Sequence, residues 1–322
     1  FTHSLDVLDQ FAPFPTDHGH EDFTASARSL CRNARCVLIE GGIPEPKSDV
    51  EVELARLVMQ GHLFRGEYDA VITAGGEEVP AELRRLVAIA LGVRAERAHD
   101  RLRKVVRQFH DPLPLLTAAL ADLDRAISLT PDIAELHSDR GAVRWTAFEA
   151  FTGEAAEQLV ALARADVAEA LRRQPDLVVA LHNEAYGEAL VAQLADEETR
   201  VDGLERALQG FRMVLERDPE HVPSLVHAAR ILITLGATNQ PARVAEGEAL
   251  LRRAEQIEPR NYELRVLGLS HALSTWAGDL SKLEAELPAF VARAETLRTS
   301  DPDDLRGRFL FGLLQTIHAA FS

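Results

Sequence analysis

Five prolines recur at nearly fixed distance through the last two thirds of the chain. They are Pro131, Pro175, Pro219, Pro259 and Pro302, separated by 44, 44, 40 and 43 residues. Each closes a run whose apolar residues lie three and four apart, and another such run opens at once. Proline has no N–H and its ring clashes with the preceding turn, so it ends a helix. Punctuation at this period restricts the fold to a stack of like units, because self-similarity on this scale marks a solenoid or array.

The flanks of the prolines agree as well. Twelve positions before them stand Ala119, Ala163, Ala207, Gly247 and Phe290; eight before, Leu123, Val167, Phe211, Leu251 and Ala294; five before, Ala126, Ala170, Val214, Ala254 and Leu297. Offsets of three and four place these residues on one face of a helix. Ten positions after the first four prolines stand Gly141, Ala185, Ala229 and Leu269. Small residues at matching places let two helices approach closely. Each unit is therefore read as a pair of antiparallel helices, with the proline at the joint between one pair and the next. Composition agrees: Ala, Leu, Arg and Glu dominate, and all four favour helix.

The phrases "ADLDRAISLTPDIAELHSDRGAV" and "RALQGFRMVLERDPEHVPSLVHAARIL" carry the pattern small–large–small–Pro–small. In this the chain resembles the tetratricopeptide repeat family over residues 113–302. The resemblance implies an all-α, right-handed α-solenoid. Its units are longer than the family's usual ~34 residues. The extra residues fall between the two helices of a unit, at "FTGEAAEQL", "LADEETRVDG" and "GATNQPARVA", which implies longer helices or loops there. The fifth unit breaks the size pattern at Leu269, Phe290 and Ala294. Residues 303–322, "RGRFLFGLLQTIHAAF" and its neighbours, read as an apolar last helix that caps the stack.

Residues 1–112 read as an extended arm followed by helices. Gly61, Phe64, Gly66, Tyr68 and Ala70 look like the turn and flanks of a degenerate unit spanning 50–72, with no proline to end it. "CVLIEGG" and "DAVITAGG" are open to a second reading, as short strands before Gly-Gly turns of a small α/β domain.

The formal net charge of -16 argues against nucleic acid or an anionic membrane as the main partner, since both need a basic face. No apolar run reaches the ~20 residues of a membrane helix. Cys31 and Cys36 are too few for a disulfide scaffold and do not form C-x-x-C, so a reducing cytoplasmic setting is expected. The chain begins with Phe1 rather than Met, as a piece of a larger protein would.

Phosphate-loop, dinucleotide, zinc-protease and nucleophile-elbow signatures are absent. The best metal candidate is "DHGHED", with His18, His20 and Glu21 beside Asp17 and Asp22, but alternate spacing in a loop does not force the ligands to converge. Cys36 with a distant His would be a nucleophilic pair; a small buried apolar role suits it better. No cofactor is expected.

The resemblance further implies that the first helix of each pair lines a concave groove. Aligned on the prolines, Ser138, Ala142, Trp145, Val179, His182, Tyr186, Val226, Arg230, Glu263 and Ser270 would face it. Trp, Tyr and Arg are the residues enriched at binding hot spots. The expectation is a non-catalytic scaffold that binds a protein or peptide partner. Trp145 and Tyr186 packing between units is the competing reading. Two other functions are weighed beside it: the regulatory portion of a larger kinase- or protease-type enzyme, and a metal- or Cys-dependent enzyme with its site in the first third. The only lysines are Lys47, Lys104 and Lys282, none on the expected groove, so a basic clamp for an acidic C-terminus is not favoured.

Overall fold

The computed structural model describes residues 49–237, 240–275 and 280–321. The metal candidates His18, His20 and Glu21, both cysteines and "CVLIEGG" lie outside these residues. The chain divides into two units, up to Ala90 and from Leu91 onward. Among the described residues all regular structure is helical, with no strand.

In the first unit, α1 (Asp49–Phe64) and α2 (Tyr68–Gly75) are joined by a turn whose Gly66 has φ 71°. The strand reading of "DAVITAGG" is overturned. Val71, Ile72 and Gly75 are buried at helical spacing, and a period of three to four excludes the alternation of a strand. A short 3-10 turn, Ala81–Leu83, leads into α3 (Arg84–Arg107). Met59, Val71, Leu83 and Val87 are almost fully buried in this unit.

The second unit takes α3 from Leu91 and continues through α4 (Leu113–Leu129), α5 (Ala134–Phe148), α6 (Gly153–Arg173), α7 (Val178–Gln193), α8 (Glu197–Arg217), α9 (Val222–Gly236), α10 (Pro241–Ile257), α11 (Tyr262–Thr275), α12 (Leu280–Ser300) and α13 (Leu305–Phe321). The joints are built alike. The residue before the proline leaves the helical region: Thr130 has φ/ψ −140°/72°, Gln174 −136°/92°, Asp218 −127°/90° and Glu258 −127°/73°. Clash with the proline Cδ forces this. Its N–H still donates to the small residue four back, Ala126, Ala170, Val214 or Ala254. Its carbonyl accepts from Ile133, Leu177, His221 or Asn261 three residues on, closing a β-turn with proline in the second place. Each helix thus reverses within a few residues, and the two that meet at a joint pack side by side.

The second helix of each pair carries the repeat's core face. Ala119, Ala163, Ala207, Leu123, Val167, Phe211, Ala126, Ala170 and Val214 are at most 3% exposed. Close approach depends on the small residues. A Cβ on Gly141 would lie 3.2 Å from the Ala163 carbonyl, one on Gly210 2.8 Å from Ala185 Cβ, and one on Gly247 3.0 Å from the Ala229 carbonyl. The residues beyond the usual unit length form helix, not loop: α6 and α8 are 21 residues each, and only four residues join α5 to α6.

Charge also ties helices together inside the stack. Asp166, 4% exposed on α6, accepts from Arg140 of α5 at 2.6 Å and from Arg144. Arg140 reaches Asp124 of α4 as well, at 2.6 Å.

Candidate binding surface

The first helices α5, α7 and α9 touch one another through a row of polar side chains. Asn183 Nδ2 donates to Ser138 Oγ at 2.9 Å, and His182 Nδ1 lies 2.9 Å from Ser224 Oγ. Ser224 Oγ is equally 2.9 Å from His221 Nδ1, which also accepts from the Ser224 N–H at 3.3 Å. His221 Nδ1 is therefore unprotonated. The Ser224 hydroxyl donates to it and accepts from His182 Nδ1–H. A helix start is capped by a histidine, and the orphan N–H of its first turn is satisfied.

Rings cluster around this pair. His182 stacks on Tyr186 at 6.3 Å and lies 5.0 Å from His221 and 5.6 Å from His227; His227 stacks on Phe211 at 5.5 Å. Burial pushes all three histidines toward the neutral form, His227 down to about 3, with Arg230 and Arg103 adding like charge. Burial and then Glu149 raise the Tyr186 phenol well above its ordinary range, and its OH donates to Glu149 at 2.6 Å.

The end of α3 crosses in front of these helices. Gly92 sits against Leu136 of α5, and Arg94 holds Asp122 of α4 through 2.7 and 2.6 Å bonds. His99 Nε2 is 2.7 Å from Thr146 Oγ1 near the end of α5. Further along, Arg103 is close enough to act on His182, Tyr186 and His227. Arg107 then pairs with Glu263 of α11 at 2.6 Å, and Gln108 donates to the Asp303 carbonyl at 3.3 Å. The helix thus reaches α5 through Gly92 and His99, α4 through Arg94 and α11 through Arg107. Arg306 joins the same junction with two 2.8 Å bonds to Glu263.

The surface is electrically polarised. At the α5 end, Asp139 is raised to about 7 by burial, then by Glu96 and Glu135. Toward α9 and α11 stand Arg103, Arg107, Arg230 and Arg306. Glu263 and Asp304 stand among them: burial opposes the charge of Glu263, but Arg306 and Arg107 hold its carboxyl below the usual range, and Asp304 accepts from Arg306 at 2.7 Å.

The expected groove residues divide into two sets. Tyr186, His182, Arg230 and Glu263 come together on this surface, and Ala142 is half-buried. Ser138 and Val226 are buried at 0% and 5%, and Trp145 at 1%. Trp145 lies beneath Gly187, where a Cβ would come within 2.2 Å of its ring. Val179 and Ser270 are exposed. Proline alignment does not find Arg103 and Arg107, because no joint proline precedes α3. His227 and Asp139 each stand one position past an aligned residue, and that adjacency was the only signal for them.

Among the described residues no three His, Cys, Asp or Glu side chains are placed to hold a metal ion, and no helix is long and apolar enough to cross a membrane. Ser224 has histidine partners but no solvent exposure, so it cannot meet a substrate.

No family model and no curated protein matches the chain. Two solved structures have a similar arrangement. TTC0263, a thermophilic tetratricopeptide repeat protein from Thermus thermophilus, is 20% identical, with 63% of this chain covering 92% of that one at a TM-score of 0.49. Yeast Tom70 is 14% identical, with 87% of this chain covering 61% of that one at a TM-score of 0.39. The chain thus spans about three fifths of Tom70. Among the described residues the second unit is an all-helical array of repeated helix pairs.

Proposed function

We propose that the second unit is a non-catalytic docking module that takes an extended peptide or a helix from a partner protein along the inner faces of α5, α7 and α9. The observation that carries the reading is the polarity of this surface, with carboxylates at the α5 end and guanidinium groups at the α9 and α11 end. A segment lying across it is oriented when its basic side chain meets Asp139 and Glu96 and its acidic one meets Arg103 and Arg230. Electrostatic complementarity of this kind sets register and rejects wrong partners more than it adds affinity. Tyr186 offers an aromatic edge between the two poles. The bound segment has both signs of charge, which agrees with the lack of a lysine clamp for an acidic terminus.

Selection from a random peptide display library tests this. Binders to the intact chain are expected to carry a basic residue and an acidic residue in a constant order. Asp139→Arg is expected to remove the basic preference and Arg230→Glu the acidic one. Binders with no charge order, or an order that both variants leave unchanged, would sink the reading.

A further inference from the structure

Ten residues after the first four joint prolines the chain faces the second helix of its own pair, with a small residue in three cases and Leu269, packed with Leu287, in the fourth. Gly141 meets Val167 and Ala163 of α6, Ala185 meets Gly210 of α8, and Ala229 meets Gly247 of α10. The same count from Pro302 reaches Gly312 on α13. There a Cβ would meet nothing within 4 Å. By register α13 is the first helix of a sixth pair, and among the described residues its partner position is uncovered.

The uncovered face is apolar. Leu305 is 43% exposed, Phe309 68% and Leu313 39%, and Gly312, Thr316 and Ala320 are exposed with them. At 100° per residue these six lie within one stripe about 100° wide that holds no charged residue. The other face of α13 is already used, with Leu310 and Leu314 buried at 6% and 0% in a cluster with Leu287, Phe290 and Leu297.

We propose that α13 pairs with α13 of a second copy of this chain, antiparallel and across a two-fold axis between Gly312 and Leu313. Two features select this occupant. The face continues the interface made three times inside the array, whose requirement is an antiparallel helix with a small residue at the crossing; Gly312 of a second copy supplies it. The stripe is also self-complementary in size. Antiparallel pairing about that axis sets Leu305 against Ala320, Phe309 against Thr316 and Leu313 against Gly312, a large side chain against a small one each time. Charge does not oppose the pairing. Arg308 lies off the stripe, and the two copies of it would be about 13 Å apart along the axis, beyond the Debye length of ~8–10 Å.

Sedimentation equilibrium of the full chain between micromolar and hundred-micromolar concentrations tests the idea. Rising concentration is expected to shift the mass from 35.4 kDa to twice that value. Phe309→Glu and Gly312→Arg are each expected to leave only monomer, with far-UV circular dichroism unchanged because both positions face solvent. Register is read in a background with Cys31→Ser and Cys36→Ser. Oxidising a mixture of Phe309→Cys and Thr316→Cys chains is expected to give a cross-linked heterodimer, whereas Leu305→Cys with Phe309→Cys gives none. A monomer at every concentration would overturn the proposal. A dimer that survives Phe309→Glu would place the contact elsewhere and overturn it too. A monomer that binds a synthetic Pro241–Ile257 peptide, and loses it on Phe309→Glu, would overturn it by assigning the face to a second helix of another source.

Discussion

Replacing His227 with phenylalanine should flatten the response of stability to acid. His227 is enclosed by His182, Tyr186 and Phe211, with Arg230 on its own helix and Arg103 from α3 adding positive potential. Its folded pKa is about 3, against 6.5 when unfolded. As pH falls below 6.5 the unfolded chain takes a proton that the folded chain cannot. Stability then drops by about 1.4 kcal/mol per pH unit until the folded group titrates. Between pH 7 and pH 5 a single such histidine contributes a loss of roughly 2 kcal/mol.

The wild-type curve does not report this alone. His99, also lowered to about 3, by burial and then Arg103, adds a loss of the same sign. Asp139 acts in the opposite sense. Its folded pKa of about 7 exceeds its unfolded 3.8, so it binds a proton first when folded and gains stability as pH falls through that window. Comparing variant with wild type cancels both. Phenylalanine keeps the ring stack with Phe211 and carries no proton. Urea unfolding at pH 7 and pH 5 is therefore expected to show a stability loss smaller by about 2 kcal/mol in His227→Phe than in wild type. Parallel losses would refute the argument, since they would mean that His227 gains its proton in the folded state as readily as in the unfolded one.

Three further outcomes follow from the packing. Gly187→Ala puts a methyl group into the Trp145 ring and is expected to cost at least the ~1–3 kcal/mol of an overpacked core; pairing it with Trp145→Leu in thermal melts should recover part of the loss. Asp166→Ala strands Arg144, 12% exposed at its side chain, while Arg140 keeps Asp124, and should destabilise by about 3 kcal/mol in urea, the low end for a broken buried pair. Arg107→Ala breaks an ion pair whose partners are 39% and 30% exposed; it should change global stability by at most ~1 kcal/mol while hydrogen exchange quickens around Gln108.

The joints were the most legible part of the chain. Proline, the restricted residue before it and the small residues at fixed offsets all act through backbone geometry, which depends on local sequence alone. Phe211 and Leu123 were legible for a related reason, because their offsets place them on the face that each second helix must bury. The inner surface was less legible. Proline alignment shows which turn of a first helix a residue occupies, not how far that turn is covered by its neighbour. Trp145 and Tyr186 illustrate this. Both stand on first helices, yet Gly187 leaves room for the Trp145 ring to sink between α5 and α7, while Tyr186 stays half-buried and bonds to Glu149. The deciding residue, Gly187, is a neighbour in space and 42 positions away in sequence.

The crossing of α3 is the least local feature, and it bears most on how the surface works. Its first contacts, Gly92 with Leu136 and His99 with Thr146, are the ordinary packing of one first helix on the next. Its last contacts, Arg107 with Glu263 and Gln108 with Asp303, join segments more than 150 residues apart and are partly exposed. Exposed ion pairs are worth little, at ~0–1 kcal/mol. The stacking interfaces beneath are built on fully buried Phe211, Leu225 and Leu232, each worth about 1.5–3 kcal/mol. The weak contacts at the end of α3 therefore yield first. Opening there is confined to the last residues of α3, since Leu102 and Val106 on either side of Arg103 are buried at 0% and 8%. Arg107, freed from Glu263 by that opening, would extend the basic pole to which the proposed function assigns the acidic side chain.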